Sequence, residues 1–276
     1  MIWYDKKDLN FYNGFNSIKL YANSLKYRKE NYPFFAEQKI QNVITEIKTK
    51  GFSKIENAFD LKTIEKLKNE FDNCVLDQKI KAEDEHFLMV QDPLLHCKTA
   101  FDVSISDTIV DVAGSFFGCM PSLCTQNFRL SKVNDQQPKS TQLFHCDKNS
   151  INFIKFFIYL NDVDESGGPL TYVKGSNNKK PHNHSTKHRW SEKEIVDLYG
   201  EESICYLTAA AGDLLIANTT GFHKGTKPVN KQRIMLTLNY VVHEENDLNN
   251  KFKSKKEWFS EVPYKKKPLF DFMELT

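Results

Sequence analysis

The chain has 276 residues, 40% hydrophobic, 13% aromatic and 27% charged, which is enough apolar material for a full core. With 38 Lys and Arg against 36 Asp and Glu the net charge is only +2, so the chain lacks the large positive field expected of a dedicated nucleic-acid binder. No run of about 18 apolar residues offers a membrane span, and the N-terminal MIWYDKK has no apolar signal-peptide core. The expectation is a cytoplasmic protein with no nucleic-acid and no membrane partner. Six cysteines (Cys74, Cys97, Cys119, Cys124, Cys146, Cys205) include no C-x-x-C pair, which argues against a zinc ribbon and for a reducing compartment.

The first half reads as mostly helical. From Pro33 to Lys50, residues Phe35, Ile40, Val43, Ile44 and Ile47 recur on one helical face, and Gly51 stands where such a helix stops. Asp60 is the expected N-cap of LKTIEKLKNEF, whose apolar stripe is Leu61, Ile64, Leu67 and Phe71. A third helix is expected from Asp107 to Phe117. The second half turns to strand, with aromatic and β-branched runs at 122–133, 151–160, 212–218 and 232–242 bounded by Gly, Pro, Asn and Asp. A polar insertion, KGSNNKKPHNHSTKH, interrupts them, and Ser191 with Glu194 forms a capping box for a short helix.

The chemistry concentrates in three segments. In TQLFHCDKN, His145 and Asp147 are two residues apart, so on an extended chain both side chains leave on one side and can reach one ion. TTGFHKGTKP adds His223. Two imidazoles and one carboxylate on one face of a metal leave the other face open, as non-haem Fe(II) oxygenases require. In RIMLTLNYVV, alternation places Arg233, Met235, Thr237 and Asn239 on one face and Ile234, Leu236, Leu238 and Tyr240 on the other. A cation heading the more polar face of a buried strand needs an anionic partner, and a guanidinium suits the distal carboxylate of 2-oxoglutarate.

The stretch from His145 through FIKFFIYLNDVDESGGPLTYVKGSNN, AAAGDLLIANTTGFHKGTKP and QRIMLTLNY resembles the phytanoyl-CoA dioxygenase family of Fe(II)/2-oxoglutarate-dependent oxygenases, and KGFSKIENAFDLKTIEKLKNEF resembles that family's entry strand and helix. The resemblance implies a mainly β fold with flanking helices, a double-stranded β-helix (jelly roll, cupin-like barrel) buttressed by N-terminal α-helices. The expected organisation is one domain over 1–276: a helical part (1–115), the barrel core (116–245) and a C-terminal extension (246–276). It assigns iron to His145, Asp147 and His223 and the co-substrate to Arg233, with Phe157 lining the pocket and Asn127 and Arg129 in the region that touches 2-oxoglutarate in relatives. Many such enzymes carry Ser or Thr two residues after the arginine. Here that residue is Met235, so a hydroxyl contact comes from elsewhere, Thr237 being the candidate, or is lacking.

With Asp147 present rather than Gly or Ala, the resemblance implies hydroxylation, not halogenation, of a small organic substrate using Fe(II), 2-oxoglutarate and O2. In this fold the loop over 177–190 is a candidate substrate lid, while its His182, His184 and His188 lack a Cys or carboxylate at ligand spacing and read as solvated. Lys155 either approaches the co-substrate or snorkels at the strand end. Cys146 is expected to point away from the metal as a packing residue. A monomer or homodimer is expected. Two other readings stay open: a cupin-like barrel that binds a metal or small ligand without turnover, and a cupin metalloenzyme that does not use 2-oxoglutarate.

Overall fold

The computed structural model describes residues 3–5, 37–82, 85–147, 153–181, 187–241, 252–271 and 273–276. In chain order the elements are β1 (Trp3–Asp5), α1 (Gln38–Lys50), β2 (Phe52–Ile55), α2 (Leu61–Leu76), β3 (Ile80–Ala82), β4 (Phe87–Val90), α3 (Pro93–His96), α4 (Lys98–Ser104), α5 (Asp107–Phe117) and β5 (Ser122–Ser131). Then come β6 (Phe153–Tyr159), β7 (Leu170–Val173), β8 (Lys179–Pro181), α6 (Glu192–Tyr199), β9 (Ile204–Leu207), β10 (Leu214–Ala217), β11 (His223–Gly225), β12 (Arg233–Val241), β13 (Phe252–Ser254), α7 (Lys256–Ser260) and β14 (Met273–Leu275).

The helices start and stop where local chemistry directs. Asp60 accepts a hydrogen bond from the Thr63 N–H at 2.7 Å and caps α2, and Ser191 and Glu194 close the expected capping box on α6. Gly51 ends α1 with φ of +97°. A Cβ at Gly51 would also fall 2.4 Å from the Tyr172 ring, so the position needs glycine for both turn and space. Of the expected stripe on α2, Ile64, Leu67 and Phe71 are buried but Leu61 is 73% exposed. It is the first helical residue, and the buried stripe begins one turn later and extends to Cys74. Residues 33–36, Phe35 among them, lie outside the described residues.

A seven-stranded sheet in the order β2-β10-β6-β12-β5-β4-β3 faces a three-stranded sheet, β11-β7-β9. All pairs within both sheets are antiparallel. Period-two alternation divides the larger sheet. Ile154, Phe156 and Ile158 of β6, with Leu236, Leu238 and Tyr240 of β12, join Ile44, Ile47, Leu67, Phe71 and Val110 of the helices in one core. The opposite face sends Phe157, Tyr159, Leu215 and Met235 against Leu170 and Tyr172 of the smaller sheet. This is the jelly roll anticipated, buttressed by helices on its outer face. The N-terminal region is not purely helical, however, because β2, β3 and β4 extend the large sheet at both edges. Strand β2 lies in the segment that resembles the family's entry strand, whereas β3 and β4, of three and four residues, carry too little alternation to announce themselves and form by pairing with each other and with β5. Among the described residues no helix is long and apolar enough to cross a membrane.

Candidate metal centre

The segment carrying His145 is held by main-chain pairing, not by a regular strand. His145 and His223 exchange two backbone hydrogen bonds of 3.0 Å, and the Asp147 N–H donates to the Thr219 carbonyl at 2.9 Å. Phe144 pairs in turn with Trp190, while Cys146 packs into the apolar cluster of Phe144, Val173, Trp190, Ile195 and Phe222, as expected. Residues 148–152 lie outside the described residues.

The pairing brings the two imidazole rings to a centroid separation of 4.3 Å, and both histidines are buried. His145 Nδ1 lies 2.8 Å from the Leu143 carbonyl and His223 Nδ1 lies 3.0 Å from the Gly221 carbonyl. A carbonyl only accepts, so each Nδ1 carries the proton and each Nε2 turns a lone pair outward. His145 Nε2 is 3.6 Å from Asp147 Oδ1, and His223 Nε2 is 3.4 Å from Asp147 Oδ2. The three side chains offer ligand atoms that all lie within 4.8 Å of one another, the scale on which one ion can be shared.

The electrostatics favour a neutral His145 beside an ionised carboxylate. Burial, reinforced by repulsion from His223, holds His145 down to about 3 against the pull of Asp147. Burial opposes the charge on Asp147, but the Lys155 ammonium, 2.6 Å from Oδ2, and the neighbouring histidines outweigh it and hold the carboxyl well below its usual range. Of the two readings open for Lys155, its side chain therefore reaches into the site.

Beside the three groups opens a cavity of about 110 Å3. Asn127, Arg129, Phe157, Arg233 and Thr237 all line it, together with His145, Asp147 and His223. Sequence reasoning had not marked Thr141, Leu170 and Gly225 as lining residues. Gly225 carried a usable signal, since it stands two residues after His223 on the same face of β11. Arg233 is 1% exposed, one Nη donates to the Ser131 hydroxyl at 3.1 Å, and its Nε has no hydrogen-bond partner. Among the described residues no acidic side chain pairs with it, and burial pulls its pKa down. His188 is described, whereas His182 and His184 of the insertion fall outside the described residues, as does most of the 182–190 loop up to residue 186. Its end, at Trp190, hydrogen-bonds Phe144 at 2.8 Å, one residue from His145.

A jelly roll holding two histidines and one aspartate at the mouth of a cationic cavity defines a class of barrel proteins, and comparison narrows it. The phytanoyl-CoA dioxygenase (PhyH) family profile matches residues 47–234, more than half of the chain. The chain belongs to that family. Its fold is similar to the non-heme alpha ketoglutarate dependent epimerase SnoN from nogalamycin biosynthesis (TM-score 0.62, 14% identity, 74% of this chain and 83% of that one). It is similar also to the carbocyclase SnoK from the same biosynthesis (0.58, 14%, 72% and 83%). A third similar structure is HygX from Streptomyces hygroscopicus with nickel and 2-oxoglutarate bound (0.58, 13%, 72% and 86%). No curated protein matches the sequence.

Proposed function

We propose that the chain is an Fe(II)- and 2-oxoglutarate-dependent oxygenase that hydroxylates a C–H bond of a small organic substrate. One observation carries the reading: two Nε2 lone pairs and a carboxylate converge at one part of a cavity whose lining includes a buried guanidinium without an acidic partner among the described residues. The donor set fits a divalent iron, being two imidazole nitrogens and one anionic oxygen ligand. The unpartnered Arg233 Nε fits the far carboxylate of a 2-oxo diacid. Similar structures carry the alpha ketoglutarate dependence in their names.

His145, Asp147 and His223 would hold the iron, which with 2-oxoglutarate and dioxygen supplies the oxidising chemistry and releases succinate and CO2. Every other contribution comes from the chain. The Leu143 and Gly221 carbonyls fix the tautomers of the two histidines, and Lys155 fixes the Asp147 carboxylate. Arg233 binds and orients the co-substrate, while Phe157, Leu170 and Met235 wall the cavity against water. No side chain is required as a strong base. Asp147 fills the third ligand position, which favours oxygen transfer over halide transfer. The similar structures named an epimerase and a carbocyclase are alpha ketoglutarate dependent by their names, so proteins of this fold are named for outcomes other than hydroxylation.

The test is 2-oxoglutarate turnover in air with Fe(II), read as succinate, for the wild type and His223→Ala. Succinate from the wild type alone, including slow release without added substrate, supports the reading. Iron-loaded wild type that makes none leaves a binding barrel or a metalloenzyme independent of 2-oxoglutarate.

A further inference from the structure

A single turn of the chain serves two of the three candidate ligands. Residues 218–221, between β10 and β11, give the Thr219 carbonyl to the Asp147 N–H at 2.9 Å and the Gly221 carbonyl to His223 Nδ1 at 3.0 Å. The turn is closed from within. The Gly221 N–H donates to the Asn218 carbonyl at 3.1 Å, and Asn218 Oδ1 accepts from the Thr220 N–H and hydroxyl. It is tied to the rest of the barrel at Asn218, whose N–H donates to the Gly51 carbonyl at 2.8 Å and whose carbonyl accepts from the Tyr172 hydroxyl of β7 at 2.6 Å.

Tyr172 is fully buried and stands in register with His223 across β7 and β11. Its ring lies within 19° of parallel to the imidazole, at a centroid distance of 6.4 Å. The fold clears space for it twice: a Cβ at Gly51 would fall against the ring, and a Cβ at Gly221 would overlap the hydroxyl. Gly221 does not have positive φ, so its backbone conformation is open to any residue, and what glycine provides there is room for the phenol. The ring belongs to an apolar cluster with Leu170, Leu215 and Ala217. Burial pushes the phenol well above its usual pKa range, so it stays protonated and donates. A hydroxyl in such a cluster needs a partner, and the partner here is the turn that serves two ligands. We propose that Tyr172 is a positioning residue of the metal centre: its hydroxyl fixes the 218–221 turn and so aims the Gly221 carbonyl at His223 Nδ1 and the Thr219 carbonyl at the Asp147 main chain. His145 takes its tautomer from the Leu143 carbonyl on another segment, so the effect of Tyr172 on the two histidines is unequal. This rests on the reading of the three side chains as iron ligands.

The experiment is long-range 1H–15N NMR of the metal-free full chain with 15N-labelled histidine, recorded at mildly alkaline pH and assigned with His145→Gln and His223→Gln, which reads the tautomer of each imidazole. Anaerobic Fe(II) titration of the same samples follows. Wild-type protein should carry the proton on Nδ1 of both His145 and His223. In Tyr172→Phe, which keeps the ring, His223 should show a mixture of tautomers while His145 stays as in the wild type, and Fe(II) affinity should fall about 10-fold, the lower end for a group that orients a ligand. Gly221→Ala drives the same contact apart from the other side and should give the same two changes, so a folding defect in Tyr172→Phe does not shield the proposal. Tyr240→Phe removes an equally buried hydroxyl from the outer core, where it donates to the Ser104 carbonyl, and should leave both readouts unchanged. The proposal is overturned if Tyr172→Phe keeps a single His223 tautomer and wild-type iron affinity, or if Tyr240→Phe disturbs His223 equally. Wild-type protein that binds no Fe(II) overturns the metal reading itself, whereas the tautomers of the metal-free protein still decide whether Tyr172 sets His223.

Discussion

Strand β12 presents two different surfaces from one backbone. Ile234, Leu236, Leu238 and Tyr240 face the helices, where they join the large core. Arg233, Met235 and Thr237 face inward and line the cavity. The outer face is apolar and closely packed, and each large side chain buried there contributes about 1.5–3 kcal/mol. The inner face gives up some of that stabilisation to keep Arg233 buried without an acidic partner among the described residues. A single alternation of period two thus separates what holds the barrel together from what gives it chemistry, and substitutions on the two faces should fail in different ways.

The largest effect is expected on the outer face. Phe156→Ala removes a fully buried ring from β6 and should cost about 3–5 kcal/mol in denaturant unfolding, with metal and co-substrate affinity retained in the fraction that folds. The inner face should behave oppositely. Arg233→Ala is expected to leave the melting temperature unchanged or raise it, because an uncompensated buried cation is removed. The same variant should weaken 2-oxoglutarate binding about 100-fold. A variant that unfolds instead would erase the distinction between the faces.

A smaller effect falls on Lys155, which also points inward. In Lys155→Met burial acts on Asp147 without its main opposing charge, so a proton competes with the metal. Iron affinity is expected to drop about 10-fold at neutral pH, the lower end for a residue that orients a ligand, and to recover as pH rises. Equal affinity in the two proteins would show that the ion pair contributes nothing to the site. The smallest change is expected far from both faces: Ser191→Ala removes the cap of α6 and should cost about 1 kcal/mol in thermal unfolding, without effect on either ligand.

What the sequence revealed followed the range of its interactions. The α1 stop at Gly51, the Asp60 cap and the capping box at Ser191 are local, and all three are present. The alternation of β12 was readable because nine consecutive residues obey it. His145, Asp147 and His223 were legible as residue types at a spacing, and the structure brings them together. Strands β3 and β4 were not legible, since three or four residues acquire strand geometry only by pairing with β5 and each other. Leu61 fits the helical period of α2 yet stays exposed, because where a helix begins to overlie its partner is a tertiary fact. The ion pair from Lys155 to Asp147 and the hydrogen bond from Tyr172 to Asn218 likewise depend on how the sheets close.

The most direct test of the iron and 2-oxoglutarate assignment is an anaerobic optical titration. Fe(II) is added to the metal-free protein, followed by 2-oxoglutarate, and the visible spectrum is followed for the weak charge-transfer band of a chelated 2-oxo acid. The expected result is a band that saturates at one equivalent per chain and fails to form in His145→Ala. Iron bound at one equivalent with no band at saturating 2-oxoglutarate would contradict the account.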